Sequence, residues 1–255
     1  MLPTLQIGPL AVQTPGLILL IGLWIGLYLS EKQAIKRGLD SGILYNLAFL
    51  VLISALIGAR VAYVLQYPQA FLSNPLSSFS LNTTLLNLWG GIAVGFIAAL
   101  WYGQRQRLDF WFTLDILTPT FATLGIFLGL ANFASGSAFG TASNLPWAIE
   151  LWGIRRHPTQ VYETISACVG LGLIFRLLNS NEPPIKGIAF LVFLTFSSAS
   201  RLFLEAFRGD SQLIGSFHTI QLVAWIILAA CLWTLGKRLF LQSGTTGNIE
   251  NLHDR

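Results

Sequence analysis

The sequence predicts an all-α fold, a polytopic membrane helix bundle of seven transmembrane helices with its N-terminus outside and its C-terminus cytoplasmic. Three observations predict it. Hydrophobic side chains make up 54% of the 255 residues and charged ones only 10%, against about 25% charged in an ordinary soluble domain. The apolar residues gather in runs close to the roughly 20 residues that cross a bilayer. The 15 Lys and Arg divide unevenly between the two sides that these runs define, and the richer side is cytoplasmic. A soluble enzyme, a disordered chain and a nucleic-acid binder are excluded for want of polar surface, despite the net charge of +4.

Seven runs qualify as spans. The first is 15–30, with Leu10 as an alternative start; Met1–Thr14 has no positive n-region, so no signal peptide is expected. Lys32, Lys36 and Arg37 follow it on the cytoplasmic side. The second and third spans are 43–66 and 84–102, the latter followed by Arg105 and Arg107. The fourth is 111–133, with Asp115 as its one well-embedded acid. The fifth and sixth, 161–178 and 185–206, enclose Arg176 and Lys186, and the seventh, 219–236, ends at Lys237 and Arg238. With Arg255, ten cations fall on this side, and Arg60, Arg155, Arg156, Arg201 and Arg208 fall on the other. Residues 1–241 read as a single integral membrane domain and 242–255 as a polar cytoplasmic tail.

Two long segments face outward. Residues 67–83 hold no charge and read as a loop or a short arm lying in the interface. Residues 134–160 begin Gly/Ser-rich and then carry Trp147 and Trp152, which fit an interfacial aromatic belt. Connections this long are often functional. Small residues four apart (Gly22/Gly26, Gly91/Gly95, Gly125/Gly129) read as close helix packing. Cys168 and Cys231 lie in apolar runs, match neither a disulfide framework nor a zinc spacing, and read as packing residues.

The five outer-side arginines carry the chemistry. Arg201, Glu205 and Arg208 are spaced i, i+4, i+7 and share one helical face. They form either a snorkelling ion pair or a cationic pocket for a lipid phosphate, which the planar guanidinium grips with two hydrogen bonds. Arg60 lies late in the second span. The stretch Arg156-His157-Pro158-Thr159-Gln160-Val161-Tyr162-Glu163 delivers Arg, His, Gln, Tyr and Glu to one membrane boundary, with Pro158 placed to start a helix. A capped helix start with interfacial anchors and a reactive site fit this stretch equally well.

RHPTQVYE resembles the hallmark RHPSQLYE segment of the prolipoprotein diacylglyceryl transferases. Other stretches agree in order. Ile7-Gly8-Pro9-Leu10 resembles the family's N-terminus, Gly58-Ala59-Arg60 with Tyr63 its second helix, and Trp89-Gly90-Gly91-Ile92-Ala93 its third. Asn132-Phe133, Gly136 and Gly140 resemble part of its glycine-rich signature. Arg201, Glu205, Phe207 and Arg208 resemble its RxxxExxR helix, and Gln221 the start of its last. The resemblance implies transfer of a diacylglyceryl group from phosphatidylglycerol to the lipobox cysteine of a preprolipoprotein, the first step of lipoprotein maturation. It implies partners in phosphatidylglycerol, the precursor's signal-peptide region and membrane lipids, a multi-pass place in the bacterial inner membrane, and neither metal nor organic cofactor.

The chain departs from the family pattern at defined points. Where the family has a His-Gly pair, it reads Val94-Gly95-Phe96. Where the glycine-rich signature carries a phosphate-binding arginine, it reads Gly129-Leu130-Ala131-Asn132, and the following Asn and Glu become Ser135 and Ser137. Leu19 stands where a tyrosine is expected. Two readings remain open: a transferase whose site is rebuilt from the remaining groups, or a non-catalytic paralogue that binds phosphatidylglycerol or lipoprotein precursors. A transporter lacks support from inverted repeats or an acidic relay. In the transferase reading His157, Arg201 and Glu205 are catalytic, with His157 as base and Glu205 orienting Arg201. Arg60, Asn132, Arg156 and Arg208 bind the lipid phosphate, and Gln160, Tyr162, Glu163 and His218 are further candidates.

Overall fold

A computed structural model describes residues 4–7, 10–72, 85–180, 185–211, 213–214 and 217–253. The chain is a polytopic helical membrane protein. Its helices are α1 (Thr14–Lys36), α2 (Ser41–Gln66), α3 (Pro68–Leu72), α4 (Leu88–Arg105), α5 (Phe110–Ser135), α6 (Thr159–Leu178), α7 (Ile188–Leu204) and α8 (Thr219–His253). Six of them, α1, α2, α5, α6, α7 extended to Phe207, and α8, are long and apolar enough to cross a membrane. The third expected span folds as α4, an 18-residue helix diluted by four glycines and closed by Gln104-Arg105.

The structure adds short antiparallel strands to the all-α expectation. Among the described residues these are β1 (Thr4–Ile7) with β2 (Leu10–Gln13), β3 (Ile149–Leu151) with β4 (Ile154–Arg156), and β5 (Leu213–Ile214) with β6 (Phe217–His218). The helix α8 continues through residues 242–253, past the boundary expected for a separate tail. Within the segment 67–83, residues 68–72 form α3, and 73–83 lie outside the described residues.

The helices group into two compact units, one of residues 31–113 and one of residues 1–30 with 114–255. In the first, α2 packs on α4. The Asn87 side chain caps α4, its Oδ1 accepting from Gly90 N at 2.9 Å. Gly91 and Gly95 make the close approach possible: a Cβ on Gly91 would stand 3.0 Å from Ala55 O, and one on Gly95 3.1 Å from Ala55 Cβ.

In the second unit the other two glycine pairs do the same work. Gly22 and Gly26 set α1 against α5, where a Cβ on Gly26 would lie 2.9 Å from Thr120 Cα, and Ser30 Oγ bonds Thr120 Oγ1 at 2.7 Å one turn on. Gly125 and Gly129 set α5 against α6 at Ala167 and Thr164. The expected packing role holds at Gly22, Gly26, Gly91, Gly95 and Gly129, where an added Cβ would crowd the neighbouring helix, whereas at Gly125 it would only touch Ala167 Cβ at 3.5 Å. Next, α6 packs antiparallel on α7, with Ser166 Oγ and Ser200 Oγ 2.5 Å apart and Ile174, Leu178 and Ala189 buried between them.

Asp115, the embedded acid, is fully buried and caps a neighbouring helix rather than its own. Its Oδ2 accepts from Gly187 N at 2.6 Å and its Oδ1 from Phe190 N at 2.9 Å. A carboxylate there answers the open amides and positive end of α7. The antiparallel order brings the C-terminal ends of α5 and α7 and the N-terminal ends of α6 and α8 to one end of this unit.

Candidate active site

At that end, the loop leaving α5 runs between two other segments. Gly140 bridges Arg208 and Ala142 bridges Arg156 in antiparallel pairs. His157 N donates to Thr141 O at 3.0 Å, Thr141 N to Phe207 O at 2.9 Å, and Gly209 N to Phe139 O at 2.9 Å. A Cβ on Gly209 would meet Gly140 O at 2.8 Å, so glycine is what lets these backbones touch. The loop thereby ties the start of α6 to the end of α7.

The hallmark stretch supplies the pins. Thr159 and Gln160 are fully buried. Thr159 Oγ1 donates to Ala138 O at 2.6 Å and Gln160 Nε2 to Ser137 O at 2.8 Å. Gln160 Oε1 is buried with no partner among the described residues. Arg156 spends its guanidinium on the same frame: Nη1 reaches Gly140 O at 3.3 Å and Nε Leu151 O at 3.4 Å, with the Phe139 ring 4.7 Å from the Arg156 Cζ. Ahead of it, β3 and β4 turn through Trp152 and Gly153, both with positive φ (57° and 75°), a two-residue turn that matches strand twist. Trp147 and Trp152 are exposed.

The charged residues converge beside this frame. Arg201 Nη1 donates to Glu163 Oε1 at 2.5 Å, and Arg208 Nη1 reaches the same oxygen at 3.3 Å. Arg201 Nε lies 3.2 Å from Glu205 Oε2, an ion pair without hydrogen-bond alignment, and Arg208 Nε lies 4.0 Å from it. Glu205 is fully buried in the 3-10 turn Glu205–Phe207 and accepts from Ser211 Oγ. Arg208 closes on Asp210 with two bonds, Nε to Oδ1 at 2.9 Å and Nη2 to Oδ2 at 3.1 Å. Net stabilisation of such a network is small because desolvation offsets attraction; its product is a fixed geometry.

Asn132, Glu163, Arg201 and Arg208 all face a cavity of about 490 Å³. The cavity continues between α5, α6, α7 and α8 past Ser166, Ser197 and Ser200 to Leu128, Phe193, Phe196 and Val223. One end is ionic, a band of serines follows, and the far end is apolar, the arrangement an amphiphile requires. The side chain of Arg201 is 30% exposed, and among the described residues its Nη2 meets no protein acceptor.

His157 sits at the loop side. Its Nδ1 is 3.5 Å from Tyr162 Oη, at the outer limit of a hydrogen bond, and Tyr162 Oη accepts from Trp147 Nε1 at 2.8 Å. The Phe207 ring lies 5.4 Å from the imidazole. His218 is placed in β6, half-buried, with Nδ1 unpartnered among the described residues. Arg60 belongs to the other unit, where Nη1 donates to Leu85 O at 2.9 Å and Cζ lies 5.9 Å from the Phe71 ring. Of the predicted residues, then, Asn132, Glu163, Arg201 and Arg208 share one cavity, Glu205 braces its arginines, and Arg156, Gln160 and His157 form the adjoining frame.

Sequence reading missed Asp210 and Ser211, although an acid two residues after Arg208 was a visible cue. It also missed the central place of Glu163, which depends on how α6 docks against α7. Among the described residues, no three His, Cys, Asp or Glu side chains converge as a metal set.

Residues 3–236 match the sequence model of the family described as prolipoprotein diacylglyceryl transferase. Three similar proteins bear the name phosphatidylglycerol–prolipoprotein diacylglyceryl transferase. That of Synechococcus elongatus is 30% identical over 243 residues, spanning 89% of this chain and 84% of its own. Those of Trichormus variabilis and Aliivibrio salmonicida are 31% and 32% identical over 235 and 219 residues, spanning 86% and 83% of this chain and 83% and 77% of their own. With its cavity, its RHPTQVYE frame and a match along nearly its whole length, the chain belongs to the prolipoprotein diacylglyceryl transferase family.

Proposed function

We infer that the protein transfers a diacylglyceryl group from phosphatidylglycerol to the lipobox cysteine of preprolipoproteins, in the bacterial inner membrane. The observation that carries this is the cavity joining Arg201, Arg208 and Glu163 to an apolar channel between helices. A lipid phosphate fits its ionic end and acyl chains its apolar end. The names of the relatives favour the transferase over a non-catalytic paralogue.

The reaction exchanges a C–O bond for a C–S bond and moves one proton from the thiol to a base. The cysteine thiol, with an ordinary pKa near 8.5, must become a thiolate. Its sulfur forms a C–S bond to the glyceryl carbon, the C–O bond to phosphate breaks, and glycerol phosphate leaves with the electron pair. Arg201 binds the phosphate and stabilises the charge that grows on it; only what strengthens in the transition state raises the rate. Glu163 and Glu205 hold Arg201 in place. His157 takes the thiol proton: with Nδ1–H directed to Tyr162, Nε2 keeps the lone pair a base needs. Asn132 and Arg208 complete the phosphate seat, while Arg156, Gln160 and Tyr162 hold the frame. Arg60, within its own unit, is a further cation for a lipid phosphate, and His218 is a further candidate.

This reading takes α4 as the seventh span, with the N-terminus outside, the C-terminus cytoplasmic, residues 1–241 as one membrane domain and 242–255 as its cytoplasmic extension. It places the site on the outer face, where the precursor's signal-peptide region arrives. Expression of the chain in a bacterium depleted of its own diacylglyceryl transferase tests it. Growth and lipid-modified lipoproteins are expected to return. Continued accumulation of unmodified precursor, with the protein present in the membrane, would contradict the reading.

A further inference from the structure

The ionic cluster holds three carboxylates, Glu163, Glu205 and Asp210, against two guanidiniums, Arg201 and Arg208. With all five ionised it carries a surplus negative charge, which opposes an incoming anion. A phosphodiester that takes Arg208 must therefore displace a carboxylate from it. Glu205 is fully buried and Glu163 is 13% exposed and shared by both arginines. Withdrawing either would strand a buried charge. Asp210 is 25% exposed, follows the 3-10 turn at the end of α7, and pairs with Arg208 alone among the described residues. It grips Nε and Nη2 with its two oxygens, the same two-point contact that phosphate makes with a guanidinium.

We propose that Asp210 is a displaceable latch: it occupies the phosphate seat on Arg208 in the empty protein, swings to solvent when the lipid phosphate arrives, and returns to help expel the phosphate product. It is a positioning residue, acting through Arg208, and its role as stated rests on the transfer reading. The latch lowers anion affinity in exchange for product release. It also gives the Nε and Nη2 of Arg208 an acceptor between turnovers, while Nη1 stays on Glu163.

The test measures binding, not turnover. The purified full-length chain, Asp210→Asn and Asp210→Glu are each given phosphatidylglycerol, glycerol phosphate and, as an uncharged control, diacylglycerol. In Asp210→Asn both phosphates are expected to bind about fivefold more tightly, the scale of losing one partly exposed competing ion pair. Diacylglycerol is expected to bind unchanged, and Asp210→Glu to behave as the parent. Anion affinities that stay the same or weaken would overturn the latch, and so would a parallel change in all three ligands, which would mark Asp210 as a purely structural brace. The two readings fail separately. Tightened anion binding in a chain with no transfer sustains the latch at an anion seat and sinks the transfer reading; transfer with unaltered anion affinities sinks the latch alone.

Discussion

Replacing Arg201 with Ala is expected to lower kcat/KM for phosphatidylglycerol by about 100- to 1,000-fold, the cost of removing one preorganised donor from a developing oxyanion. Of the two cavity arginines, Arg201 is the one with a terminal nitrogen left for a ligand, since Arg208 is divided between Glu163 and Asp210. The loss should fall on turnover rather than on folding. Glu163 and Glu205 keep Arg208 as a neighbour at 3.3 and 4.0 Å, and the Arg201 side chain is 30% exposed. Protein recovered from membranes should therefore stay near the parental amount. Arg201→Lys should recover part of the loss, because it restores the charge and not the two-point fork. Labelled-lipid turnover, normalised to protein amount, checks all three forms. Parental turnover in Arg201→Ala would remove Arg201 from the phosphate seat.

Glu205→Ala is expected to act on stability first. Glu205 is fully buried, accepts from Ser211, and stands against Arg201 and Arg208. Taking it away removes the fully buried counter-charge and leaves Arg201 with Glu163 alone, an acid it shares with Arg208. Breaking a buried pair in this way costs about 3–5 kcal/mol, which corresponds to a fall of roughly 10 °C in the thermal midpoint of a domain this size. Heat-induced aggregation in detergent measures it. Glu205→Gln keeps the shape and an acceptor and should fall between the parent and Ala. A midpoint within a degree of the parent in Glu205→Ala would show that Glu205 does not brace the arginines.

Much of this architecture was legible from spacing. The expected spans 43–66, 111–133 and 161–178 fold as Ser41–Gln66, Phe110–Ser135 and Thr159–Leu178, because length and apolarity decide where a helix crosses a bilayer. The glycine pairs identified their interfaces in advance, since a side chain at Gly22, Gly91 or Gly129 would collide with a neighbouring helix. Arg201 and Glu205 pair one turn apart as the helical period requires, whereas the helix gives way to a 3-10 turn at Glu205 and Arg208 joins the cluster from the extended backbone after it. Partners across elements were not legible. Nothing in the period of α6 says that Glu163 is shared by two arginines of the α7 end, and nothing local says that Asp115 caps α7 rather than serving its own helix. The β3–β4 turn carries Trp152 at positive φ where the usual cue is Asn or Asp, so its sequence conceals it. The arginine that the glycine-rich signature leads one to expect is absent. Ala131 is buried and Leu130 is exposed there, and the proposed phosphate seat is built from the arginines at the α7 end instead.

The central claim is that this cavity moves a diacylglyceryl group from lipid to thiol without the histidine and arginine that the family pattern supplies elsewhere. Reconstitution of the purified chain with phosphatidylglycerol and a lipobox peptide tests it most directly, reading the peptide's mass together with released glycerol phosphate. The account predicts a peptide heavier by one diacylglyceryl group and one glycerol phosphate for each modified thiol, both absent in Arg201→Ala. An unmodified peptide in a preparation that binds the lipid, beside a turning-over relative as control, would contradict it.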